Sequence, residues 1–134
     1  MEVVSGSCLC GKVTFECENN FSQFHLCHCI QCQKVTGSAH ASNLFTARDN
    51  ITWRSGLASV RKYDVPGRSI SNAFCIECGS GLPYISGSGK ALVVPAGGLD
   101  GKPNIVPQDN IFWSERADWY DEVPSAQRFD RFSE

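Results

Sequence analysis

The chain carries little charge of either sign. Charged residues make up 19% of its 134 positions, and the formal net charge is −2. No run of acidic or basic residues breaks that balance. A nucleic-acid partner requires a basic stripe, and an anionic membrane surface requires a polybasic patch, so both classes are set aside. Long apolar runs are missing as well, and no segment reads as a membrane span. The opening "MEVVSGSCLCG" has neither the basic start nor the apolar stretch of an export signal. The expected compartment is the cytoplasm, where thiols stay reduced. Repeats, linkers and low-complexity segments are also lacking. With 42% apolar residues the chain can bury a core without staples, and one domain over residues 1–134 is expected.

What the chain does have is cysteine, eight in all. In an exported protein these would read as four disulfides. A reducing compartment argues against that, and metal binding is the better account.

Strand patterns dominate. In "GKVTFECE" (11–18) Val13, Phe15 and Cys17 alternate with Lys12, Thr14, Glu16 and Glu18, the period of a half-buried strand. Further short β-prone segments lie at 42–47, 50–56, 60–65, 70–75 and 90–99. Turn residues fall between them at Asn19-Asn20, Asp49-Asn50, Pro66-Gly67, 79–81 and 87–89. An all-β sandwich or barrel is expected. One helical turn is expected in "CIQCQKVTG" (29–37), ending at Gly37. The tail "IFWSERADWYDEVP" (111–124) suggests a short strand and an irregular stretch whose Trp113, Trp119 and Tyr120 complete the core.

The cysteines fall into two groups. Cys8 and Cys10 stand two apart, which on a strand aims both at one side. Cys75 and Cys78 form C-x-x-C before glycine, the pattern of a metal knuckle. Together they make a four-thiolate set able to close a tetrahedral site, which would contribute folding energy directly. Cys27, Cys29 and Cys32 make the second group, in "HLCHCIQC". Three thiolates with an open fourth position are the pattern of catalytic zinc, whose remaining ligand is water or substrate. A thiol such as glutathione bound there would be deprotonated and presented as a nucleophile. Two other readings stay open. His25, His28 or His40 could close the set as a second structural site, although His28 sits between two ligands and is expected to point away. Cys29 and Cys32 could form a redox pair, for which the βαβ context is missing. Cys17, alone in its strand, reads as a buried inert thiol.

Three cysteine motifs recur in a known order. They are Gly6-Ser7-Cys8-Leu9-Cys10-Gly11, Cys27-His28-Cys29-Ile30-Gln31-Cys32 with Lys34, Thr36 and Gly37, and Phe74-Cys75-Ile76-Glu77-Cys78-Gly79-Ser80. Gly98-Leu99-Asp100 and the aromatic tail follow. In this order the chain resembles the glutathione-dependent formaldehyde-activating enzyme (GFA) family, which includes centromere protein V, over about residues 5 to 122. The resemblance implies an Mss4-like fold of folded β-sheets held together by zinc. It implies two zinc ions: a structural one on Cys8, Cys10, Cys75 and Cys78, and a catalytic one on Cys27, Cys29 and Cys32. It implies a carbon–sulfur lyase that joins glutathione and formaldehyde as S-hydroxymethylglutathione. The expected partners are a small thiol and a small carbonyl compound, with no nucleic acid and no membrane. The family tail often reads H-I-F where this chain has Asn110-Ile111-Phe112. By position along the chain, His28, His40 and Lys34 are the candidates for moving the proton, and Gly37, Ser38 and Ala39 offer backbone N–H groups nearby. The competing class is a non-catalytic zinc module that binds a protein partner through its tail aromatics.

Overall fold

Residues 2–133 are described by a computed structural model. Eleven strands form among them: β1 (Val3–Ser7), β2 (Thr14–Glu18), β3 (Gln23–Cys27), β4 (Ala41–Ala47), β5 (Thr52–Ser55), β6 (Val60–Asp64), β7 (Ser71–Cys75), β8 (Gly81–Leu82), β9 (Tyr84–Ile85), β10 (Ala91–Pro95) and β11 (Asp109–Ile111). The α-helix, α1, spans Ile30–Thr36, and four short 3₁₀ turns complete the elements. The fold is mostly β, as expected. No helix among the described residues is long and apolar enough to cross a membrane.

The strands make three sheets, ordered β1-β2-β5, β11-β3-β4-β10-β9 and β6-β7-β8. Alternation explains β2: Val13, Phe15 and Cys17 are buried, while Glu16 and Glu18 face outward, with Arg54 of β5 pairing to Glu16. Phe15 lies opposite Gly6 in the β1–β2 register, and its ring occupies the place a side chain at position 6 would take, 2.2 Å from where a Cβ would stand. The core then continues through Phe21, Phe24, Leu44, Leu82, Leu92 and Val94. Burying each large apolar side chain of this kind contributes about 1.5–3 kcal/mol.

Several strands differ from the sequence expectation. β1 contains Gly6 and two serines, and its pairing with β2 outweighs weak local propensity. β3 has no clean alternation because both of its faces are partly covered. The 90–99 segment stops as a strand at Pro95 and turns as a 3₁₀ helix over 96–98. β11 pairs in parallel with β3, placing Ile111 beside Cys27. This pairing carries the tail back to the 27–32 segment.

Candidate metal centres and the cleft between them

Cys8 and Cys10 meet, but not on a strand face. β1 ends at Ser7, and Cys8–Gly11 form a tight turn in which the Gly11 N–H donates to the Cys8 carbonyl at 3.1 Å. Gly11 has φ +80°, a conformation that glycine takes without strain. The turn brings the two sulfurs to 3.6 Å, where an extended strand would hold alternate residues roughly 6.6 Å apart. Cys75 and Cys78 form the expected knuckle. The Gly79 N–H donates to the Cys75 carbonyl at 2.7 Å, and the Glu77 N–H points at Cys75 Sγ at 3.4 Å. The Val13 N–H does the same for Cys8 Sγ at 3.2 Å. The two turns face each other, with Cys10 Sγ 3.9 Å from Cys75 Sγ. All four sulfurs lie within 4.8 Å of one another. Hydrogen bonds from Ser80, and from the Cys10 backbone, hold the Cys78 thiol down at about 5.

The second group is built by a strand end and a helix start. Cys27 closes β3, Cys29 caps α1, and Cys32 sits in its first turn. Cys29 Sγ accepts from the Cys32 N–H at 3.3 Å, so the thiol does the work of an N-cap side chain. Gly37 ends the helix at φ +64°, as the sequence predicts. All three thiols are buried, and their sulfurs lie within 4.8 Å of one another. The neighbouring Cys32 thiol holds Cys27 down at about 6, and the same closeness, with burial, drives Cys32 upward. Three thiolates this close in a buried place require a cation, so the donor chemistry fits a thiophilic divalent metal.

None of the three histidines joins this cluster. His25 Nδ1 pairs with Asp109 Oδ1 at 2.5 Å and its Nε2 lies 2.9 Å from Gln23 Oε1. His28 points away, as expected, and is fully buried. Its Nε2–H donates to Asn110 Oδ1 at 2.9 Å, and its Nδ1 has no partner. Its ring packs edge-on against Trp113 and Tyr120, with His40 5.0 Å away on a third side. The tail aromatics therefore do not complete the core. Trp113 and Tyr120 cover the histidine pair, while Trp119 stays 57% exposed. The reason is the β11–β3 pairing, followed by Phe112 at φ +54°, which turns Trp113 onto His28. Asn110, the departure from the family tail, is thus the partner of His28.

A cleft of about 810 Å³ runs between the two cysteine groups. Cys32, Thr36 and Ser42 border one end; Cys8, Leu9 and Ser80 border the other. Tyr84, Asn43, Ser71 and Asn72 lie between, and Asp100 also lines it. Of these, Asp100 had a sequence signal, as part of a motif. The others are single polar residues in strands, invisible until β4, β7 and β9 are brought together. His28, His40, Lys34 and the 37–39 turn do not line the cleft, although Ala39 and His40 flank the cluster in sequence. Burial holds the Tyr84 phenol up at about 12, so it stays protonated.

No curated protein is significantly similar to the chain. Among solved structures, a crystal structure of a Rhodobacter sphaeroides protein superposes with a TM-score of 0.62 at 24% identity, covering 77% of this chain and 97% of that one. That likeness supports the fold. The family described as glutathione-dependent formaldehyde-activating enzyme matches residues 3–115, a span that contains both cysteine groups and every residue of the cleft. The chain therefore belongs to the glutathione-dependent formaldehyde-activating enzyme family.

Proposed function

We propose that the chain is a zinc-dependent enzyme of carbon–sulfur chemistry, forming one zinc-binding domain over residues 1–134. In this reading Cys8, Cys10, Cys75 and Cys78 hold a structural zinc. Cys27, Cys29 and Cys32 hold a catalytic zinc with one position open to a thiol such as glutathione, or to water. One observation carries the reading. The second cluster offers three buried sulfurs and no fourth donor among the described residues, and it meets the cleft through Cys32. A closed structural centre would have recruited one of the nearby histidines.

A metal in that place would lower the pKa of a bound thiol and so supply a thiolate at neutral pH. The residues of the chain do the rest. Cys27, Cys29 and Cys32 fix the position of the sulfur at the end of the cleft. The walls, with buried Ala73 and Leu82 and half-buried Ile70 among them, exclude water from one side. The thiol adds to the carbonyl carbon of a small aldehyde, one C–S bond forms, the C=O π bond opens, and the thiol proton ends on oxygen. Ser71 Oγ donates its proton to Asp64 Oδ1 at 2.6 Å, and we assign the proton to Tyr84, which lines this space with a phenol that stays protonated.

Native mass spectrometry before and after mild chelation tests the reading. Two zinc ions per chain, one readily removed, are expected. Two equally resistant ions, or one alone, would point instead to a non-catalytic module.

A further inference from the structure

No lysine, arginine or histidine among the described residues lines the cleft walls, so a cation for an acidic ligand has to come from the rim. Arg68 stands there, at the three-cysteine end. It lies in the turn between β6 and β7, two residues before Ile70, which both lines the cleft and packs on the 27–32 cluster. Its Nη1–H donates to Gln31 Oε1 at 2.6 Å. Gln31 immediately precedes Cys32 and lies one helical turn before Val35, a residue of the cleft wall. The guanidinium also lies 5.3 Å from the centre of the Phe112 ring. Phe112 follows Ile111, which packs on the same cluster. Contacts from three separate segments thus hold Arg68 beside Cys27, Cys29 and Cys32. Its charge is felt there: after the Cys32 thiol and the Cys29 contacts, Arg68 adds to what holds Cys27 down.

The backbone beneath this arginine is fixed as well. The Arg68 N–H donates to the Val65 carbonyl, and the Val65 N–H to the Ile70 carbonyl, both at 3.2 Å. The Gly87 N–H donates to the Ser69 carbonyl at 2.9 Å. A Cβ at position 87 would stand 3.0 Å from Ser69 Cα and 3.3 Å from the Arg68 carbonyl oxygen. Glycine there lets the 86–89 turn lie flat against the turn that carries Arg68.

The arginine is positioned but not neutralised. Arg54, Arg116, Lys12 and Lys62 pair with Glu16, Asp121, Glu77 and Asp64. Arg68 has no acidic partner among the described residues; an amide oxygen and a ring face orient it and leave its charge whole. A guanidinium has five N–H donors in one plane, and Gln31 takes one of them. The others can hold a carboxylate at two points. A cysteinyl peptide whose sulfur sits at the three-cysteine centre carries its carboxylates one unit to either side, and each residue reaches roughly 3.3–3.6 Å. We propose that Arg68 recognises a carboxylate of the thiol substrate and makes the site prefer acidic thiols, glutathione among them, over neutral ones. Arg68 is then a specificity residue, and Gln31, Phe112 and Gly87 are the groups that position it.

This inference rests on the open metal position proposed above, and one experiment separates the two. The full chain is loaded with Co²⁺, and thiolate binding is read from its near-ultraviolet charge-transfer and visible bands. The probes are glutathione, its diethyl ester, in which both carboxylates are blocked, and 2-mercaptoethanol, at low ionic strength. The quantity read is the affinity for glutathione divided by that for the diester, because the metal–sulfur bond is common to both and cancels. Arg68→Gln should lower this ratio by about threefold to fivefold, the range of a partly exposed ion pair with good geometry. Gln31→Glu supplies Arg68 with a carboxylate from its own chain. It should lower the ratio too, and it decides the question if Arg68→Gln does not fold. A ratio left unchanged in folded Arg68→Gln would overturn the role of Arg68 alone. No spectral response to any of the three thiols would overturn the open metal position, and this inference with it.

Discussion

Losing a ligand of the four-cysteine centre will destabilise the zinc-loaded protein more than losing a ligand of the three-cysteine centre, by roughly 2 kcal/mol. The figure follows from the length of chain each centre closes. Cys10 and Cys75 are 65 residues apart in sequence, with their sulfurs 3.9 Å apart. Cys27 and Cys32 are five apart. Loop-closure entropy grows as three-halves RT times the logarithm of loop length, and the thirteenfold ratio converts to roughly 2 kcal/mol. A second effect has the same sign. Three cysteines within one short segment can keep their metal in the unfolded chain, whereas the long-range set cannot, and binding to the unfolded state reduces the stabilisation. The comparison is between Cys75→Ser and Cys29→Ser. Serine at position 29 removes a thiolate but is itself a favoured N-cap, so α1 keeps its start. Urea unfolding with zinc in excess should give Cys29→Ser the higher midpoint. It should also lose its thiol-dependent spectral response while retaining native circular dichroism. Equal losses, or a greater loss in Cys29→Ser, would refute the reasoning and mark the 27–32 centre as the one that holds the fold.

Gly6→Ala should cost about 1–3 kcal/mol, because the new methyl meets the buried Phe15 ring; urea midpoints check this, and Phe15→Leu in the same background should recover part of the loss. Asn110→Ala should destabilise by about 1–3 kcal/mol, since it leaves both ring nitrogens of buried His28 without partners; Asn110→Asp, which keeps an acceptor, should cost less in the same assay. Cys17 gives a pH signature. Burial holds its thiol up at about 11 from a usual value near 9, so the unfolded chain loses this proton first; stability is then at its full value below pH 9 and declines from 9 to 11. Cys17→Ala should flatten that decline in pH-dependent thermal melts, and an unchanged slope would show that another group causes it.

Much of this protein could be read from its residues because the decisive signals are local. Cysteine spacing, the glycines that allow tight turns and the alternation around Phe15 depend on neighbours a few positions away. The chain by itself therefore determined a mostly β fold, a helical turn within 29–37 ending at Gly37 and the division of seven cysteines into sets of four and three. The tertiary structure decided what depends on distant partners. The parallel β11–β3 pairing took the aromatic tail away from the core and laid Trp113 and Tyr120 on His28. The same pairing gave Asn110 its histidine partner, and the histidines' own contacts kept all three out of the metal set. The cleft belongs to this second class too. Tyr84, Asn43 and Asn72 share no sequence pattern, and only the packing of two sheets makes them the walls of one space. Local covalent geometry fixes which groups can hold a metal, whereas the charge of the space beside it is a sum over strands that meet only in the folded chain.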